Sequence, residues 1–177
     1  MSARFSRHVA RKAGYAELWY DRWLARGLRD MDRLTIRIQK NHPDARLPEF
    51  AHGPREDAGM DLFSAEEVIL PPGGWASVGT GLSIELPPGY DGQVRPRSGL
   101  ARKYGVTLLN APGTIDPGYR GEIRVLMINH GDQGYTIWPG DRIAQLVVGS
   151  YAAVDWEVAE QLAESERGDG GFGSTGE

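Results

Sequence analysis

No cysteine occurs in the 177 residues of this chain. That excludes disulfides, thiolate nucleophiles, iron–sulfur clusters and every zinc site built on Cys, and a reducing compartment is the simple expectation. Histidine is scarce: His8, His42, His52 and His130 stand apart, and no pair has the short spacing of a helical or hairpin metal site. Positive charge is not in excess. A formal net charge of -4 argues against a protein that wraps a polyanion, because binding a phosphate backbone needs a basic surface. A small anionic ligand stays open. No apolar run reaches the length of a membrane span, and the N-terminus lacks the uninterrupted apolar stretch of a secretory signal. The expectation is a cytoplasmic protein with neither membrane nor nucleic acid as a partner.

The chain is long enough to bury one core. Its first 33 residues differ from the rest, with eight Arg/Lys against four acids, whereas acids predominate in the remainder. Tyr20, Leu24, Leu28 and Met31 share one helical face flanked by Trp19 and Trp23, which predicts an amphipathic helix, the only one read from the sequence. From Leu34 the texture becomes short Val/Ile/Leu/Thr-rich runs separated by Pro-Gly turns. The runs are Leu34–Ile38, Val68–Leu70, Trp75–Thr80, Leu82–Leu86, Gly92–Arg97, Val106–Leu109, Glu122–Asn129, Tyr135–Trp138, Ile143–Val148 and Val154–Val158. Many short strands with tight turns predict an all-β sandwich, jelly roll or barrel. Glu122–Asn129 and Ile143–Val148 are apolar on both alternating faces, so a subunit interface is expected to cover one of them. The expected organisation is a helical extension over 1–33, a β-barrel over 34–160 and a glycine-rich arm over 161–177.

Three segments carry chemistry. In the run Asn110 to Gly121, a turn-rich hairpin between apolar strands exposes backbone groups that can read the edge of a flat ligand. Asp116, ahead of Pro117-Gly118, suits a carboxylate that orients and deprotonates water. It also suits the plain start of a turn. Arg95 to Ala101 places guanidinium groups, the Ser98 hydroxyl and Gly99 at a strand end, a combination that fits phosphate oxygens or an ordinary basic turn. The tail offers Arg167, Phe172, Ser174 and Thr175 among glycines, which reads as a flexible lid over phosphate and base or as a disordered tail. It is no Walker A loop, because no Lys-Ser/Thr comes after the glycines.

In order along the chain, Ala58 to Leu62, Pro96 to Ala101, Asn110 to Gly121, Gly140 to Gln145 and Arg167 to Gly176 resemble the five motifs of the trimeric dUTPase family. The resemblance implies a distorted jelly-roll β-barrel and a homotrimer with active sites at its subunit boundaries, each closed by a neighbour's C-terminal arm. It implies dUTP as substrate, hydrolysed to dUMP and diphosphate, which limits uracil in DNA and supplies dUMP for dTMP synthesis. Asp116 would activate the water that attacks the α-phosphorus. Arg97, Ser98, Gly99 and Gln145 would hold the triphosphate, with Arg167, Ser174 and Thr175 closing on its far end. Asn110, with Gly113, Thr114 and Ile115 of the hairpin, would recognise uracil, whose N3–H and O4 pattern cytosine reverses. Tyr119 would pack on the sugar where a 2′-hydroxyl would collide, Phe172 would cover the base, and Arg124 joins the substrate-binding set. Mg²⁺ is the implied cofactor, since it prefers phosphate oxygens and waters to a full protein cage. Asp61 is the candidate for a water-mediated contact to it.

Two other readings stay beside this one. The dCTP deaminases share the fold and similar Arg-Ser and Asp-Pro-Gly segments, but use a glutamate where this chain carries Leu126. A dUTPase-like regulator that signals to a partner protein could use the tryptophan-bearing N-terminal helix. The resemblance stops before Leu34. Residues before it are a helix packed on the trimer, a surface-binding helix, or translated upstream sequence ahead of a start at Met31.

Overall fold

The computed structural model describes residues 33–170, of which those from Ile38 form one compact unit. The expected N-terminal amphipathic helix lies outside the described residues, as do Phe172, Ser174 and Thr175.

Among the described residues, eleven strands and one helix occur in order: β1 Arg37–Lys40, β2 Met60–Phe63, β3 Val68–Leu70, β4 Trp75–Gly79, β5 Leu82–Glu85, β6 Tyr90–Arg95, α1 Ser98–Tyr104, β7 Val106–Leu108, β8 Gly113–Ile115, β9 Arg124–Asn129, β10 Tyr135–Ile137 and β11 Arg142–Ser150. Proline and glycine punctuate them as the sequence predicts. The Pro71 carbonyl accepts from Gly74 N–H (2.9 Å) between β3 and β4, and the Pro87 carbonyl accepts from Tyr90 N–H (3.2 Å) between β5 and β6. Between β10 and β11 the turn closes doubly. Asp141 N–H donates to the Trp138 carbonyl (3.0 Å), while Trp138 N–H donates to the Asp141 carboxylate (2.9 Å).

The strands pair out of sequence order. One sheet runs β2-β11-β6-β8, a second β4-β9-β7, with the pairs β3-β10 and β1-β5 beside them. The registered pairings are antiparallel, for example Gln145 opposite both Asp61 and Arg95, and Val125 opposite Val78. Such wiring gives a jelly-roll-like all-β fold. Leu62, Val78, Val125, Met127, Ile143 and Leu146, from strands of both larger sheets, are buried in the core. Each such side chain contributes about 1.5–3 kcal/mol by leaving water. Along β9 the alternation is regular: Val125, Met127 and Asn129 are buried, whereas Leu126 and Ile128 stay half-exposed on the other face. The described residues of the chain do not cover that second apolar face.

Two sequence readings need correction. Val154–Val158 forms no strand. Trp156 and Val158 are 90% and 98% exposed, because no described strand of this chain offers the segment a ladder. A helix also forms where none is read from the sequence, at Ser98–Tyr104. Two turns are too short to display apolar periodicity, and Leu100 is its one buried residue. Strands β2 and β8 stand out in the sequence as motif rather than strand, since each is only a few residues long.

Helix α1 ends at Gly105, whose φ of 68° is left-handed and whose N–H closes onto the Leu100 and Ala101 carbonyls. A Cβ there would meet the backbone nitrogen of Gly131 at 2.7 Å. Backbone strain and collision coincide, so Gly105→Ala is expected to cost about 1–3 kcal/mol. Chemical denaturation checks this.

Candidate functional site

Strand β8 lies against β6, with Gly113, Thr114 and Ile115 opposite Val94, Gln93 and Gly92. Beside it opens a pocket of about 260 Å³, lined by Val94, Asn110, Gly113, Thr114, Ile115, Tyr119 and the Glu122–Leu126 segment. The residues predicted to read a base therefore converge on one cavity. Asn110 reaches over Gly113, where an added Cβ would sit 3.3 Å from the Asn110 amide nitrogen. Glycine leaves that approach open.

A network of fixed charges forms one wall. Arg124 donates from Nε to Ser77 Oγ (2.9 Å), from Nη1 to Glu122 (3.0 Å), and from Nη2 to Glu66 (2.8 Å) and the Ser77 carbonyl (2.7 Å). Burial opposes its charge, but the Glu122 hydrogen bond and the Glu66 and Glu122 carboxylates outweigh that and hold its pKa above the ordinary guanidinium value. Each glutamate is anchored in turn, Glu66 by Gly79 N–H (2.5 Å) and Glu122 by Gly81 N–H (2.7 Å). Four of the five Arg124 donors are thus committed to the protein. Sequence reasoning places Arg124 with the substrate but misses Ser77, Glu66 and Glu122. The Glu122/Arg124 spacing of two, which puts both on one strand face, is the available signal.

Arg97 sits elsewhere, at the N-cap of α1. Its Nε donates to Asp61 Oδ1 (3.0 Å) and its Nη1 to the Arg142 carbonyl (3.2 Å), while Arg142 Nη1 donates to Asp61 Oδ2 (3.2 Å). Asp61 is buried, so two cations share one desolvated carboxylate, which orders both. Gln145 is the ladder partner of Asp61 and Arg95, and the Gln145 side chain lies over Gly59. Ser98 and Gly99 are exposed at the start of α1, with open space where a Gly99 side chain would be. Arg97, Ser98, Gly99 and Gln145 are absent from the lining of the Asn110–Tyr119 pocket. Within one chain, the groups expected to read a base and those expected to hold phosphate therefore lie apart, as two candidate half-sites.

Asp116 comes directly after the pocket residue Ile115 at the end of β8. It is exposed, and its carbonyl accepts from Tyr119 N–H (3.0 Å) across the Pro117-Gly118 turn. Arg167 is exposed too, with Nε donating to the Gly170 carbonyl (2.7 Å). Among the described residues, no group of three or more His, Cys, Asp or Glu could hold a metal ion. No helix among the described residues is long and apolar enough to cross a membrane.

The deoxyuridine 5′-triphosphate nucleotidohydrolase of Solibacter usitatus is 60% identical over 144 residues, covering 81% of this chain and 97% of that protein. Among solved structures, the Staphylococcus bacteriophage 80alpha dUTPase with dUPNHPP superposes with a TM-score of 0.75 at 31% identity, over 81% of this chain and 99% of that one. A mutant dUTPase from phage phi11 of S. aureus, described as coordinating a structural Mg(II) ion, gives 0.67 at 28% identity, over 72% and 98%. The dUTPase family model matches residues 46–176, a span that takes in both half-sites and the arm, and the chain belongs to the dUTPase family.

Proposed function

We propose that this chain hydrolyses dUTP to dUMP and diphosphate, with Asp116 taking the proton of a water that attacks the α-phosphorus. The new bond joins the water oxygen to that phosphorus, the bond to the β-phosphate oxygen breaks, and diphosphate leaves. The observation that carries this reading is the pocket built from Asn110, the β8 backbone and Tyr119. Its backbone and Asn110 groups suit the uracil edge, and Tyr119 suits the 2′ face of a deoxyribose. Leu126 lines the same cavity, so an apolar side chain stands where the deaminase resemblance would need a glutamate.

A pocket of about 260 Å³ is small beside the roughly 300–1,000 Å³ that encloses a drug-sized ligand. The triphosphate must extend beyond it, and in one chain Arg97, Ser98, Gly99 and Gln145 do not line it. A homotrimer joins the half-sites by bringing those residues from a second copy. The half-exposed face of β9 and the bare apolar stretch around Trp156 support contact between copies. Arg167, Phe172, Ser174 and Thr175 then close over phosphate and base.

Bound with the triphosphate, Mg²⁺ would offset the charge of its oxygens. Asp61 would help hold that ion through water, since each of its carboxylate oxygens keeps a lone pair after its arginine bond. Asp61→Asn is expected to raise the Mg²⁺ concentration for half-maximal rate and to lower stability by about 1–3 kcal/mol. A stability loss with unchanged Mg²⁺ dependence would confine Asp61 to ordering the two arginines.

The deciding experiment incubates the protein with Mg²⁺ and either dUTP or dCTP and resolves the products. Release of dUMP and diphosphate from dUTP alone is expected. Formation of dUTP or dUMP from dCTP would assign deamination, and turnover of neither would assign a nucleotide-binding regulator.

A further inference from the structure

Gly121 lies outside the cavity lining but directly under the Tyr119 ring. A Cβ on residue 121 would stand 2.6 Å from Tyr119 Cζ and 2.9 Å from Cε2, and would also collide with the hydroxyl. Real carbon atoms do not approach so closely, so the ring can occupy its place only because residue 121 has no side chain. The φ of Gly121 is not left-handed, which leaves steric room for the ring as the reason for glycine here.

The ring's position is held from one end only. Its hydroxyl donates to the Glu122 carbonyl at 2.9 Å. Hydrogen bonds of its own residue and the next hold that carbonyl in place. The Glu122 carboxylate takes Gly81 N–H and Arg124, and the next residue, Ile123, donates its N–H to the Leu82 carbonyl at 2.7 Å. Tyr119 is 45% exposed, which leaves the ring a route toward solvent once the space over residue 121 closes.

We infer that Gly121 is a specificity-determining positioning residue: by leaving room for the Tyr119 ring to reach the Glu122 carbonyl, it fixes the wall that separates a deoxyribose from a ribose. The inference rests on the reading of Tyr119 as the residue beside the sugar. A wall discriminates against an added hydroxyl only if it cannot retreat, and Gly121 with the Glu122 carbonyl removes that freedom. Alanine at 121 rotates the ring toward solvent, breaks the 2.9 Å bond and opens space for a 2′-hydroxyl. The backbone needs no change, because the φ of residue 121 lies outside the left-handed region that alanine avoids.

The test compares kcat/KM for dUTP and UTP in the full chain, Gly121→Ala and Tyr119→Ala, with oligomeric size and thermal unfolding measured alongside. The expected result is a UTP-to-dUTP ratio that rises about tenfold or more in both variants. A merely structural glycine would lower both activities together and leave the ratio unchanged. If Tyr119→Ala raises the ratio and Gly121→Ala does not, the inference about Gly121 falls while the reading of Tyr119 stands. If neither raises it, the reading of Tyr119 falls and takes the inference with it. Should Gly121→Ala not fold, Tyr119→Phe carries the test, since it deletes only the bond to the Glu122 carbonyl. A rise in the ratio supports the inference, and an unchanged ratio overturns it.

Discussion

Asp116→Asn is expected to lower kcat by roughly 10²–10⁴ while leaving dUTP binding near normal. The substitution keeps the shape of the side chain and removes its basicity. It also leaves the local fold alone, because the bond that closes the Asp116–Tyr119 turn uses the backbone carbonyl and not the carboxylate. The Asp116 side chain is exposed and ties up no other described residue, so no structural loss accompanies the chemical one. Steady-state rates with dUTP, set against binding of a non-hydrolysable analogue by calorimetry, separate the two quantities. An unchanged kcat would remove Asp116 from the reaction, and a fall in affinity matching the fall in rate would make it a binding group instead.

Ending the chain at Glu166 is expected to reduce turnover by about 10²-fold or more without changing the oligomer. The segment removed carries Arg167, Phe172, Ser174 and Thr175, the groups proposed to close on phosphate and base. The fold does not lean on its described part. Arg167 bonds to Gly170 within its own turn, and residues 151–170 contribute no strand and no buried side chain to the sheets. Losing residues 167–177 is expected to take away orientation of the substrate and exclusion of water. Size-exclusion chromatography with light scattering and a dUTP assay on the same preparation check both halves. A truncated chain that hydrolyses dUTP at the full rate would deny the arm its role, and one that comes apart into single copies would move it into the interface.

Much of the fold is legible in the sequence because β structure with tight turns writes itself locally. Val68–Leu70 is a strand with the limits read from the sequence, and the Pro-Gly segments fall at the strand ends. Val154–Val158 misleads for an instructive reason. Its composition is that of a strand, but a strand exists only where a neighbour supplies hydrogen bonds, and here the described chain supplies none. Helix α1 escapes detection for the opposite reason. Its seven residues are fixed by the end of β6 on one side and the Gly105 cap on the other, with too few apolar positions for any period to emerge.

The sequence by itself determined the family and the chemistry-bearing segments, because each motif is a contiguous run whose residue types can be read without knowing what lies beside it. Asn110, Gly113, Thr114, Ile115 and Tyr119 are singled out that way as candidates, and they line one pocket. The tertiary structure alone decided the partnerships. Asp61 meets Arg97 and Arg142 across 36 and 81 residues, and Glu66 meets Arg124 across 58. It also decided that Arg97, Ser98, Gly99 and Gln145 stand apart from the Asn110–Tyr119 pocket, and that Gly121 lies beneath Tyr119. The physical reason is the sheet topology. Antiparallel strands paired out of order bring together residues whose spacing carries no period, so a charge or a glycine reveals its role only when its neighbour across the sheet is known.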